Sequence, residues 1–137
     1  AEEIAEWYQK GEDYYYGQNG VEENEAEAFK WYKKAAEKGH AGAQNQLGIC
    51  YLNGEGVEEN ESEAVKRFIK ATEQGYAEAQ YSLGYCYYHG DGVEEDKTEA
   101  VKWYKKAAEQ GHAGAQNNLG WCYGNGQGCR ERLCRSG

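Results

Sequence analysis

Proline and methionine are absent from this chain, so helix interruption falls to glycine, which is abundant at 19 residues. Cationic side chains are scarce: 15 lysines and arginines stand against 24 aspartates and glutamates, a formal charge of -9. A field of that sign repels phosphate backbones, which argues against nucleic acid as a partner. No apolar run approaches the roughly 20 residues a membrane helix requires, so no membrane insertion is expected. The opening residues AEEIAEWYQK lack the basic and apolar pattern of a signal sequence, although a leader already removed would leave no trace. Also missing are S-x-x-K, G-x-S-x-G and H-E-x-x-H, the short elements that place a nucleophile or a metal for hydrolysis. The acidic runs VEEN and VEED lack the alternating ligands and the glycine of a calcium loop. Neither metal nor cofactor is expected.

What is present suits one modest domain. A hydrophobic fraction of 39%, with 14% aromatics, can supply a core in 137 residues and argues against disorder. The dominant feature is repetition. LGICYLNGEGVEEN, Leu47 to Asn60, returns as LGYCYYHGDGVEED, Leu83 to Asp96, and in part as LGWCYGNGQGC, Leu119 to Cys129. The glycine that opens GVEE recurs at Gly20, Gly56 and Gly92, with Gly128 one period further, so the unit is 36 residues. Segments 20–55 and 92–127 agree at 27 of 36 positions, whereas the middle copy agrees with each at 21.

Each unit holds two helical patterns. One begins at Asn24, Asn60 or Asp96, each followed three residues later by Glu27, Glu63 or Glu99, an Asx form of the capping box. Its apolar face runs through Ala28, Tyr32, Ala35 and their equivalents, and it stops near Gly39, Gly75 and Gly111. The other carries Ala43, Leu47, Cys50 and Tyr51 at helical spacing, repeated at Ala79 to Tyr87 and Ala115 to Tyr123. Small residues at Gly48, Gly84 and Gly120 allow a neighbouring helix to approach. The following G-x-G turns the chain, Val57 or Val93 plugs the turn into the core, and the acidic cluster leads into the next helix N-terminus, where the dipole favours it.

The pattern A-x-A-Q-x-x-L-G-x-x-Y-x-x-G-x-G-V, followed by A-x-K-W-Y-x-K-A-A-E-x-G, resembles the Sel1-like repeat family, an offshoot of the tetratricopeptide class. The resemblance covers about residues 1 to 128 and implies an all-α, right-handed superhelical solenoid of antiparallel helix pairs used to assemble protein complexes. It divides the chain into an N-terminal capping helix region (1–19), repeats 20–55, 56–91 and 92–127, and an atypical Cys/Arg tail, 129–137. In the cap, Gly11 aligns with Gly84 and Tyr14 with Tyr87 if one residue is inserted in the turn, and Lys10 takes the place of a buried leucine. Three of the four arginines, with Cys129 and Cys134, crowd into the tail, where GCRERLCRSG takes the place of GVEENESEAV and supplies no following helix; the last helix is therefore expected to expose a face through which the chain could self-associate. Many bacterial relatives resemble exported proteins, so the resemblance leans slightly to export although no residue decides the compartment; some relatives carry a β-lactamase label, but without a serine-lysine element the chain is expected to be a non-catalytic interaction scaffold rather than a hydrolase.

Cys50, Cys86 and Cys122 recur once per unit. Neighbouring units lie about 10 Å apart, a helix diameter, which is beyond disulfide reach, so these cysteines are expected to act as buried small hydrophobes. A cysteine-rich branch of the family joins helices with two cysteines per repeat, and this chain, with one, does not match it. His40 and His112 occupy equivalent turns and are expected to pack rather than ligate.

The middle unit is the most individual. Asn45, Ile49, Leu52 and Asn53 become Tyr81, Tyr85, Tyr88 and His89, then Asn117, Trp121, Gly124 and Asn125. By resemblance to the tetratricopeptide class the first helices line the concave groove, which makes Asn45, Ile49, Tyr81, Tyr85, Tyr88, His89, Asn117 and Trp121 candidates for holding a peptide or protein segment, with basic partners favoured by the charge. Tyrosines supply contact area with a hydrogen-bonding tip, and the asparagines suit an extended backbone. The competing reading is that these aromatics only pack between units. Trp31 and Trp103, replaced by Arg67 in the middle copy, are expected to be partly buried.

Overall fold

A computed structural model describes residues 2–125, with side chains to Cys122. It contains seven α-helices in this range and no strand: α1 (Glu2–Tyr16), α2 (Glu25–Glu37), α3 (Ala41–Asn53), α4 (Glu61–Thr72), α5 (Ala77–His89), α6 (Lys97–Glu109) and α7 (Ala113–Asn125). Each helix packs on the next in sequence, and α3 also touches α5, so the array is a one-dimensional stack in which helices contact near neighbours.

The second helices, α2, α4 and α6, begin where their caps require. Asn24, Asn60 and Asp96 accept from the backbone N–H of Glu27, Glu63 and Glu99 at 3.0–3.1 Å. The reciprocal half of a capping box is replaced by something more useful to the fold. The backbone N–H of each cap residue donates to the carbonyl of Tyr14, Tyr51 or Tyr87 at 2.8 Å, tying the second helix to the end of the first. The freed Glu63 carboxylate pairs with Arg67 at 2.8 Å. These three bonds also establish that Tyr14 is the counterpart of Tyr87, with one residue inserted in the first turn.

The two glycines of G-x-G do different jobs. Gly54 and Gly90 are left-handed C-caps, φ 69° and 72°, whose N–H returns to the carbonyl of Cys50 or Cys86. Gly56 and Gly92 also have positive φ, and a Cβ there would strike the carbonyl of Glu25 or Glu61, the first residue of the preceding second helix. The turn is thus pressed onto the helix behind it, with Val57 and Val93 half-buried against the core.

Ring-in-socket packing defines the core. Tyr32, Phe68 and Tyr104, buried on α2, α4 and α6, sit against Gly11, Gly48 and Gly84 of α1, α3 and α5, where an added Cβ would fall 2.5–2.8 Å from the ring. Burying such a ring stabilises by about 1.5–3 kcal/mol. Cys50, Cys86 and Cys122 are buried, and burial pushes Cys50 and Cys86 up to about 12. Lys10 is exposed, its Nζ 4.6 Å from the Trp31 ring centroid, and Trp31, Arg67 and Trp103 are all half-buried.

A glutamine ladder joins the units. Gln74 Nε2 donates to Gln44 Oε1 (3.0 Å) and to the Gly39 carbonyl (2.8 Å); one unit later Gln110 repeats this with Gln80 and Gly75, both at 2.9 Å. Gln44 and Gln80 are buried, which explains the glutamine of A-x-A-Q. His40 and His112 cap α3 and α7, Nδ1 accepting from Ala43 and Ala115 N–H at 3.0 Å. Their rings lie over Gly42 and Gly114, where a Cβ would come within 3.0 Å of Cε1. In the middle unit Tyr76 replaces the capping histidine and Glu78 replaces the glycine, and Glu78 Oε1 then meets His112 Nε2 at 2.9 Å.

Candidate functional site

The first helices α3, α5 and α7 frame two adjoining hollows, each floored by the ring of an intervening second helix. The larger, about 300 Å³, lies between α5 and α7 and is lined by Tyr81, Tyr85, Tyr88, His89, Asn118 and Trp121, with Tyr104 and Cys122 beneath. The other, about 270 Å³, lies between α3 and α5 and is lined by Ile49, Leu52, Asn53, Ser82, Tyr81 and Tyr85 over Phe68. Tyr81 and Tyr85 form the wall between them, so the two read as one groove crossing three helices.

Aromatic contacts fix the larger hollow. Tyr85 and His89 stand 4.2 Å apart, Tyr88 meets His89 edge-on at 5.1 Å, and Tyr88 meets Trp121 at 6.1 Å. Tyr81 stacks on His112 at 4.7 Å and leans on Tyr104 at 5.6 Å. Its hydroxyl accepts from Asn118 Nδ2 at 3.5 Å. Burial raises the Tyr104 phenol above its ordinary range, and a hydrogen bond from Asn118 opposes the shift. Tyr85 and Trp121 keep 39% and 50% of their surface exposed, unlike the core rings. Lys97 Nζ lies 5.2 Å from the Tyr88 ring centroid and 3.0 Å from Glu95 Oε2, a carboxylate that holds the ammonium above its usual range.

Of the residues singled out in the sequence, Tyr81, Tyr85, Tyr88, His89 and Trp121 converge on one hollow and Ile49 on its neighbour. The asparagines do not join them. Asn45 is only 3% exposed and its Oδ1 faces Ser82 Oγ at 2.9 Å, because this helical position is turned toward the next unit. Asn117, at the equivalent position of α7, is exposed and outside the lining, where Asn118 takes the place expected of it. Tyr81 is both wall and packing residue, so the two readings of the aromatics each hold for part of the set. Sequence reasoning missed Asn118, Ser82 and the floor rings Phe68 and Tyr104. A signal existed: at equivalent positions an amide accompanies each tyrosine, Gln46 with Tyr32 and Asn118 with Tyr104, whereas Ser82 accompanies Phe68.

Ser82 Oγ, the described serine nearest this groove, lies against Asn45 Oδ1 and the Glu78 carbonyl, both at 2.9 Å, with no base beside it. Among the described residues no group of three or more His, Cys, Asp or Glu side chains is placed to hold a metal, and no helix is long and apolar enough to cross a membrane. Cys129, Cys134 and the arginine-rich tail lie outside the described residues.

The profile of the Sel1 repeat matches residues 5–40, 41–76, 77–112 and 113–132. The chain belongs to the Sel1 repeat family. Each Sel1 unit in this frame opens on a first helix, so α1 and α2 form the first pair. No curated protein sequence matches the chain. Among solved structures it is similar to a protective antigen of uropathogenic Escherichia coli strains displaying an SLR fold, with 45% identity and TM-score 0.83 over 91% of this chain and 27% of that one. A Sel1 repeat protein from Oxalobacter formigenes gives 42% identity and TM-score 0.78 over 91% of this chain and 51% of that one. The present chain therefore spans about a quarter and about half of these two relatives. Helicobacter pylori cysteine rich protein B, at 24% identity and TM-score 0.66 over 85% of this chain and 95% of that one, shares the fold. Sel1 repeat proteins generally act as protein-interaction scaffolds.

Proposed function

We propose that this Sel1 array is a non-catalytic binding module that holds a segment of another protein along the groove crossing α3, α5 and α7. The observation that carries the reading is the pairing of Tyr85 and Trp121, two large rings left exposed on facing helices around a 300 Å³ hollow whose floor is already packed. Rigid aromatic side chains that are half-covered in the free protein offer contact area at little further entropic cost, the usual character of binding hot spots. The first test is selection from a random peptide library by the wild type and by Tyr85→Ala/Trp121→Ala in parallel. A common motif enriched by the wild type and lost by the double variant, with helicity kept, supports the groove. Enrichment that survives the double variant places binding elsewhere and overturns it.

Self-association is a second reading, favoured by Gly120. It is equivalent to Gly48 and Gly84, yet among the described residues a Cβ there would meet nothing within 4 Å, so no described ring fills on α7 the socket that α3 and α5 close. A monomeric mass by light scattering at high protein concentration would count against it.

A further inference from the structure

The chemistry of the partner is written in how charge is distributed, and the inference rests on the groove reading above. Among the described helices every lysine and arginine except Lys10 lies on α2, α4 or α6; α3, α5 and α7, which frame the groove, carry none. Lys10 itself is turned to the Trp31 ring of α2. The turns that close α3 and α5 are acidic instead, with Glu55, Glu58 and Glu59 after one and Asp91, Glu94 and Glu95 after the other. Toward α1 the groove positions equivalent to Ile49, Leu52 and Asn53 are Glu12, Tyr15 and Tyr16, and Tyr15 Oη donates to Glu55 Oε1 at 2.7 Å. The two hollows thus run from aliphatic Ile49 and Leu52 to the aromatic rings, with the carboxylates of Glu12 and Glu55 beyond them toward α1.

Lys97 is the exception that tests this. It is the first residue of α6, where α2 and α4 have Glu25 and Glu61 and where the helix dipole favours an anion. Its ammonium instead lies over the Tyr88 face and against Glu95. The rim of the aromatic hollow therefore already receives a cation, supplied by the protein itself.

We propose that the groove selects an extended, basic segment of a partner protein, with two large apolar side chains seated in the two hollows and a lysine or arginine beside them, and that Lys97 is the internal competitor for that cation. Equivalent helices of successive units stand about a helix diameter apart, roughly 10 Å, and an extended chain rises about 3.3 Å per residue, so the two anchors stand about three residues apart.

The probe is a set of synthetic peptides with two leucine or tryptophan anchors separated by one to six residues, each flanked by lysine or by glutamate. Binding is read by fluorescence anisotropy at low and moderate salt against the wild type, Tyr85→Ala/Trp121→Ala, Lys97→Gln and Lys97→Glu. We expect lysine-flanked peptides to bind about tenfold or more tightly than their glutamate twins at low salt, with the preference shrinking as salt rises. Affinity peaks near the three-residue spacing. Lys97→Gln tightens the lysine-flanked set about threefold to tenfold without tightening the glutamate-flanked set, and Lys97→Glu does so further. Equal affinity for both sets, lost on Tyr85→Ala/Trp121→Ala, overturns the partner chemistry and leaves the groove standing. Unchanged lysine-peptide affinity in Lys97→Gln overturns the competitor role. Absence of binding by every peptide, or binding indifferent to the double variant, brings down the groove reading and the inference with it.

Discussion

The junction between α1 and α3 and the junction between α5 and α7 are built on the same frame and end as opposites. In both, a tyrosine of the intervening helix, Tyr32 or Tyr104, fills a glycine socket. At the first, Tyr32 Oη donates to Glu12 Oε1 at 2.6 Å and Gln46 Nε2 reaches both, 3.4 Å and 3.3 Å away, so polar side chains bridge the space above the ring. At the last, Tyr85 and Asn118 occupy the positions of Glu12 and Gln46, and the space above the ring stays open as an aromatic hollow. The middle junction shows why the difference is permitted. Phe68 has no hydroxyl to satisfy, and Ser82, in the place of Gln46, turns to Asn45 instead. A buried phenol needs a partner, and whether that partner is a bridging carboxylate or a short amide decides if the solenoid presents a closed or an open surface.

The largest effects should come from the sockets. Gly84→Ala forces a Cβ to 2.8 Å from the Tyr104 ring, and Gly11→Ala does the same at 2.6 Å from Tyr32. Each should lower stability by about 1–3 kcal/mol in urea titration, the usual penalty for overpacking. Gly120→Ala, with no described atom within 4 Å of its Cβ position, should instead gain about 0.5–1 kcal/mol from helix preference. Equal losses at all three would show that the sockets do not discriminate.

A smaller effect separates the two phenols. Tyr32→Phe leaves Glu12 and Gln46 without their shared partner, and should cost about 1–2 kcal/mol. Tyr104→Phe should cost about 0.5–1 kcal/mol, since Asn118 keeps the Tyr81 hydroxyl. Reversal of that order would mean that the first network is surface decoration.

The smallest is a slope with pH. His40, stacked on Tyr8 at 4.5 Å and capping α3 through an unprotonated Nδ1, is held below the ordinary 6.5 by burial. The folded state therefore resists a proton that the unfolded chain accepts. Its contribution is complete above about pH 6.5 and is lost as the pH falls below that value. His40→Asn, which caps without titrating, should flatten the stability slope between about pH 7 and 5.

Much of this molecule was legible in one dimension because its determinants are local. The 36-residue period, the Asx caps at Asn24, Asn60 and Asp96, and the glycine turns depend on residues within a few positions of one another. They fix an all-α array of helix pairs. The convergence of Tyr81, Tyr85, Tyr88 and His89 was legible for the same reason, since helical spacing sets them on one face. Asn45 misled because it lies at the edge of that face, and the packing angle between successive units turned the edge toward the next unit; Asn117, at the same position of α7, is exposed outside the lining. Chain pattern cannot supply that angle. Nor could it say that Glu12 would meet Tyr32 and Gln46, residues 20 and 34 positions away, and so bridge one junction while its counterpart stays open. Sequence alone determined the repeat, its helices and the aromatic face. Tertiary structure decided which of those rings are core and which are surface, because burial depends on what a neighbouring helix brings to within van der Waals distance.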